Sequence, residues 1–96
     1  MITKKKAIQI AEEYVQKQST QYNLVLLHEH TLDFEAGWVF FYQTKEYVET
    51  GDFTKMIAEN APIIIDNKDG TLHITGTTSP VEKYMRDYVK NRKEPE

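Results

Sequence analysis

The sequence predicts a two-layer α+β domain in which N- and C-terminal helices pack on one face of an antiparallel four-stranded sheet, in the order α-β-β-(short α)-β-β-α. Three observations predict it. Apolar residues recur at helical spacing near both ends of the 96-residue chain, and β-favouring runs separated by turn residues fill the middle. The last of these runs alternates apolar with polar, as a sheet with one wet face does. A chain of this length buries roughly 60–70% of its unfolded surface, enough for one core, so residues 1–96 are expected to form one domain.

Thr3 is placed to cap the first helix, whose stripe is Ala7, Ile8, Ala11, Tyr14 and Val15. Lys4, Lys5 and Lys6 stand where the helix dipole prefers acids, so packing of the stripe must override that mismatch. Residues Asn23 to Glu29 and the run from Trp38 to Tyr42 read as two antiparallel strands on either side of an acidic stretch. A short helix is expected from Asp52 to Asn60, with Asp52 as its cap and Phe53, Met56 and Ile57 on one side, and Pro62 prevents its continuation. Ile63 to Ile65 make the third strand. Asp66 to Gly70 supply a hairpin turn in which Gly70 takes a positive φ. In the fourth strand, Thr71 to Thr77, Leu72 and Ile74 point one way and His73 and Thr75 the other. Ser79-Pro80-Val81-Glu82 combines a capping serine, a proline at the first helical position and a capping-box glutamate. The last helix then buries Val81, Tyr84, Met85, Tyr88 and Val89 and turns Arg86, Lys90, Arg92 and Lys93 to solvent, with fraying expected over Glu94 to Glu96.

Composition narrows the chemistry. No run approaches the roughly 20 apolar residues that span a bilayer, and Gln9, Glu12 and Glu13 interrupt the first apolar patch before an export signal forms. The absence of cysteine removes disulfides and thiolate metal sites, so a soluble cytoplasmic protein is expected. A net charge of −3 argues against a nucleic-acid partner. His28 and His30 share strand parity, but no third ligand stands at a defining distance, and no metal is expected. Asp66 to Gly70 lacks the closing glutamate of a calcium loop and reads as a turn. There is no Gly-x-Ser-x-Gly frame and no phosphate-cradling loop, and nothing desolvates the carboxylates of Asp33, Glu35 and Glu49. No enzyme, catalytic residue or cofactor is expected.

Two features point instead to a protein partner. Trp38, Phe40 and Tyr42 lie on one face of their strand and Val39 and Phe41 on the other, so both faces carry bulk. Two readings compete: the strand is sandwiched, with residues 44–60 folded over its outer face, or some aromatic area stays available as an interface anchor. From Glu29 to Asp52 there are six acids against one base, a local charge of −5. These acids either solvate loops or steer a basic partner. The expected contact set is therefore Trp38, Phe40 and Tyr42 as anchors, with Asp33, Glu35, Glu46, Glu49 and Asp52 as an acidic rim.

The run Trp38-Val39-Phe40-Phe41-Tyr42, then Thr50-Gly51-Asp52, then Asn60-Ala61-Pro62 through Asp66 and Ile74-Thr75-Gly76-Thr77 together resemble the YrhB-like domain, or immunity protein 35 family, of bacterial polymorphic-toxin systems. The likeness runs from the first helix to Tyr84 and rests on Trp38, Phe41, Tyr42, Gly51, Asn60, Pro62 and Gly76. Two positions depart from it: lysines open the first helix in place of acids, and Glu59 precedes Asn60 in place of a small residue. What the resemblance implies is a small cytoplasmic α+β protein that binds and neutralises a cognate toxin. A chaperone-like protein-binding module is the alternative, and a small hydrolase stands behind both.

Overall fold

A computed structural model describes residues 1–57 and 60–93. Expectations placed on Ala58, Glu59, the Lys93 side chain and residues 94–96 lie outside the described residues. Helix α1 (Lys4–Gln18) is capped as expected, the Thr3 hydroxyl accepting from the Lys6 amide at 3.1 Å. The lysine-rich opening turn is partly compensated by Lys4, which reaches Asp33 at 3.2 Å. Ser19 closes the helix by donating to the Val15 carbonyl, and accepts the Leu24 amide that starts the first strand.

The two strands expected before residue 43 are present, but each is broken. One arm of a long hairpin consists of β1 (Leu24–Leu26), a 3-10 turn at His28–His30 and β2 (Leu32–Phe34). The other arm consists of β3 (Gly37–Phe40) and β4 (Tyr42–Thr44), with β1 paired to β4 and β2 to β3, all antiparallel. The arms come apart after the Leu27 amide bonds the Phe41 carbonyl, where the 3-10 turn swings outward. β2 covers part of the stretch read from its charge as an acidic connection; Leu32 and Phe34 alternate with Asp33 there, too short a pattern to stand out in sequence. β5 (Ile63–Asp66) then pairs with β3, and β6 (Leu72–Ile74) with β5, giving the sheet order β2-β3-β5-β6.

Gly37 permits the close approach at the hairpin end. Its φ is +149°, and a side chain there would strike the Ile65 carbonyl oxygen. Only glycine combines that dihedral with that contact.

The expected short helix lies seven residues earlier. α2 (Lys45–Thr50) is capped by Thr44, whose hydroxyl accepts the Tyr47 amide, and it ends on Gly51 at φ 73°. Asp52 caps only a 3-10 turn at Phe53–Lys55, accepting from the Thr54 amide and hydroxyl.

The α+β class and the antiparallel sheet stand as expected; the layering differs. The pleat sends Trp38, Phe40, Ile63 and Ile65 to one face, where the small residues Ala7 and Ala11 let α1 come close. Leu24, Leu26 and Tyr42 extend this core along the hairpin. Each fully buried large side chain contributes about 1.5–3 kcal/mol, so this face dominates the fold energetically. The other face carries Phe34, Val39, Ile64, Asp66 and His73, and α3 (Val81–Lys93) packs there, not beside α1. Apolar Val39 and Ile64 also require cover, and the strand after which a helix leaves does not dictate the side it takes.

A polar latch holds α3. The Tyr88 hydroxyl donates to the buried Asp66 carboxylate at 2.6 Å, and its ring meets Phe34 and His73. Arg92 donates to the Ala36 carbonyl and the Asn67 side chain, 3.6 Å from Asp66. Burial, first, and the hydrogen bond to Asp66 push the Tyr88 phenol well above its ordinary value.

Candidate protein-binding face

The anchors expected on the aromatic strand are mostly core. Phe40 is 0% exposed and Tyr42 8%, both beneath α1, while Trp38 is half-buried against the same cluster. Phe40 and Tyr42 therefore present almost no side-chain surface to a partner. Burial and, next, the neighbouring Tyr14 phenol raise the Tyr42 pKa. The strand's alternation was read correctly; its accessible aromatic is Phe41, on the opposite face.

The acidic residues do not form one rim. Asp33 and Glu35 stand at the β2–β3 turn, whereas Glu46, Glu49 and Asp52 stand at the α2 end. The seven residue steps from Gly37 to Thr44 separate the groups by about 20 Å. Glu46 pairs loosely with Lys55 at 3.7 Å, and hydrogen bonds from Thr54 hold the exposed Asp52 carboxyl below its usual range.

The structure assembles a different surface around the α2 group, on the face away from α1. Leu27, Phe41 and the buried Gln43 form its floor, Tyr47, Val48, Gly51 and Met56 one wall, and Glu29 and His30 the other, enclosing a groove of about 480 Å³. A shallower apolar extension of about 340 Å³ runs on through Leu27, His30 and Phe41 to Leu32. Phe53, 76% exposed and tilted against Tyr47 at 5.8 Å, stands at the margin. Exposed apolar side chains gathered beside acids suit a protein partner better than bulk water.

Gln43 gives this wall its position. Its carboxamide accepts the Ile57 amide at 2.8 Å and the Thr44 amide at 2.9 Å, and donates to the Ile57 carbonyl. Thr44 adds a bond to the Lys55 carbonyl at 2.7 Å, and Asn60 donates to the Tyr42 carbonyl at 2.6 Å. Sequence reading missed Gln43, Leu27 and Val48; a glutamine two residues past an aromatic run carries no signal until the fold places a loop over it.

His28 and His30 occupy the 3-10 turn, so strand parity does not apply to them. His28 lies 3.9 Å from Glu12 on α1, while His73 meets Tyr88 on the other face. Among the described residues no three His, Cys, Asp or Glu side chains gather as a metal site. No helix among them is long and apolar enough to cross a membrane.

The residues that carry the family resemblance divide between the groove and the frame. Phe41, Tyr42, Gly51 and Asn60 line the groove. The Pro62 carbonyl accepts both the amide and hydroxyl of Thr75, and Gly76 leaves room for the Tyr84 ring. The profile of a protein family described as immunity protein 35 matches residues 5–87, which include all of the groove. A protein of Escherichia coli (strain K12), described as uncharacterized protein YrhB, is 46% identical over 55 residues. The matched stretch covers 57% of this chain and 58% of that relative, less than two thirds of its length. No solved structure matches.

Proposed function

The chain belongs to the immunity protein 35 family, and from that premise we propose that it protects the bacterium producing it by binding a cognate toxin one to one and blocking its action. The observation that carries this reading is the groove at α2, where Phe41, Val48 and Met56 lie beside Glu29, with Glu46 and Glu49 on the helix that walls it. Apolar side chains held on a braced wall can anchor a partner with little ordering cost, and the acids accelerate encounter with a basic surface. A standard interface engages roughly 20–30 residues per side, so the groove and its apolar extension form its centre, with Glu46 and Asp52 at the edge. The reaction is association, with blocking of the toxin as its outcome, and it takes place in the cytoplasm of the producing cell.

The test is growth rescue. Candidate toxins of the producing bacterium are each induced with and without the chain, and the purified pair is titrated calorimetrically. Rescue with one-to-one binding is expected. A Val48→Asp, Met56→Asp double variant, which changes two exposed positions, is expected to bind at least about a hundredfold more weakly, as for loss of a central apolar anchor. Full rescue by a correctly folded double variant would remove the groove from the interface. Suppression of aggregation of unrelated proteins, without rescue, would favour the chaperone-like alternative.

A further inference from the structure

We propose that β6 is a self-association edge, at which two copies of this protein pair strand to strand, antiparallel, about a two-fold axis through His73. The register fixes which main-chain groups are available there. The Asp66 amide bonds the Thr71 carbonyl and the Thr75 amide bonds the Pro62 carbonyl, with His73 opposite Ile64 between them. Thr71, His73 and Thr75 therefore turn their main chain toward β5, and Leu72 and Ile74 turn theirs to the open side, where β6 is the last strand of the sheet. The Ile74 side chain stands 60% exposed beside them. Native edges are usually guarded by a charge, a proline or a bulge. The opposite edge is guarded in this way, since β2 carries Asp33 at its centre, ion-paired to Lys4. From Thr71 to Thr77 the β6 segment holds no Asp, Glu, Lys, Arg or Pro. None of its residues lines the groove at α2.

The shortness of the edge selects the occupant. Laid about His73, a second copy sets Leu72 against Ile74 at two places, and each pair exchanges both of its N–H···O=C bonds. A flexible peptide making the same bonds loses conformational entropy at every residue it orders, about as much as a main-chain bond returns. The β6 strand of a second copy is already extended and loses none. Leu72 and Ile74 share the face of Ile63 and Ile65, so the exposed Ile74 comes against Leu72 of the second copy. Pairing β6 with β2 of another copy would meet Asp33 and leave a free edge at each end, an open-ended fibre; two β6 edges close on each other. An edge of three residues buries far less than the roughly 800 Å² per partner of a standard interface, so the dimer is a weak one.

Sedimentation equilibrium of the full chain at about physiological salt, across about three decades of concentration reaching the millimolar range, tests it. The average mass is expected to rise from 11.3 kDa toward twice that value. Ile74→Pro deletes an outward N–H without touching a bond to β5, and Ile74→Lys guards the edge with a charge. Each is expected to weaken association about tenfold or more, because every change acts twice across the axis. At the axis His73 faces His73, so His73→Asp and His73→Lys each set like charges together and weaken association about fivefold, whereas an equimolar mixture of the two restores it. If Ile74→Pro folds poorly, the mixture still decides. A mass fixed at 11.3 kDa throughout overturns the proposal, as does association indifferent to both Ile74 variants or a mixture no tighter than its components. Loss of toxin binding by Ile74→Lys, in a chain that is monomeric without the substitution, assigns the edge to a strand of the toxin and overturns it equally.

Discussion

Tyr88 joins α3 to three strands, through Phe34 of β2, Asp66 of β5 and His73 of β6. Tyr88→Phe keeps the ring contacts with Phe34 and His73 but leaves the buried Asp66 carboxylate short of one donor, so a loss of about 1–3 kcal/mol in urea unfolding is expected. The sign with pH follows from the raised phenols. In the folded chain Tyr88 and Tyr42 hold their protons above the ordinary tyrosine value, so their contribution is fully present below about pH 10 and fades as pH rises through the folded values. Unfolding curves between neutral pH and the alkaline limit should show this fade, and Tyr88→Phe should flatten it; an unchanged alkaline limb would contradict the latch. Gly37→Ala is expected to be worse, at least about 3 kcal/mol, since strain and the clash with Ile65 combine. The parity of Trp38, Phe40 and Tyr42 was legible in their alternation, but their burial was not. It depends on the small residues Ala7 and Ala11, more than twenty-five positions away.

Among the elements, caps were read well and their reach poorly. Thr3 starts α1 as its position implies, and the register of Leu72 and Ile74 follows their alternation, although Ile74 falls beyond the cover of α1 and is 60% exposed. Asp52 also caps, but Thr44 competes as an earlier cap, and Gly51 ends the resulting helix before Asp52 is reached. A capping residue announces a start without announcing a length. Gln43→Ala tests how the groove wall is held. It removes two hydrogen bonds to Ile57 and one to the Thr44 amide, so hydrogen exchange of residues 53–57 should quicken at least about tenfold while α1 amides stay protected. Exchange unchanged in that segment would show the wall braced by Thr44 and Asn60 alone. At the acidic end of the pH range, Asp52 and Asp69 act together: hydrogen bonds from Thr54 and Thr71 hold their carboxyls below the ordinary value. That support is present above about pH 4 and is lost as pH falls through the lowered folded values, so the 3-10 turn and the β5–β6 turn should loosen first in acid.

At the scale of the whole molecule, charge divides by pole. Glu29 lines the groove and Glu46 and Glu49 stand on the helix that walls it, so raising salt from low to about physiological strength or beyond should slow toxin association by about tenfold or more while leaving dissociation nearly unchanged. Stopped-flow mixing reads this directly, and an association rate indifferent to salt would remove steering from the mechanism. The net acidity of residues 29–52 was visible in sequence, but its division into two groups was not, because the hairpin carries the two halves apart. The layering was hidden for a related reason: hydropathy marks which residues need cover without saying which helix supplies it.

Both ends of the described chain meet at the β5–β6 turn. The Ile2 amide bonds the Asn67 carbonyl at 2.8 Å, and Arg92 bonds the Asn67 side chain at 3.2 Å. A linker joining them, or an affinity handle fused to either, would therefore sit at the pole remote from α2. Immobilised through such a handle on a sensor surface, the molecule would stand with its α2 groove outward, which makes tethered capture a suitable format for measuring association at that groove.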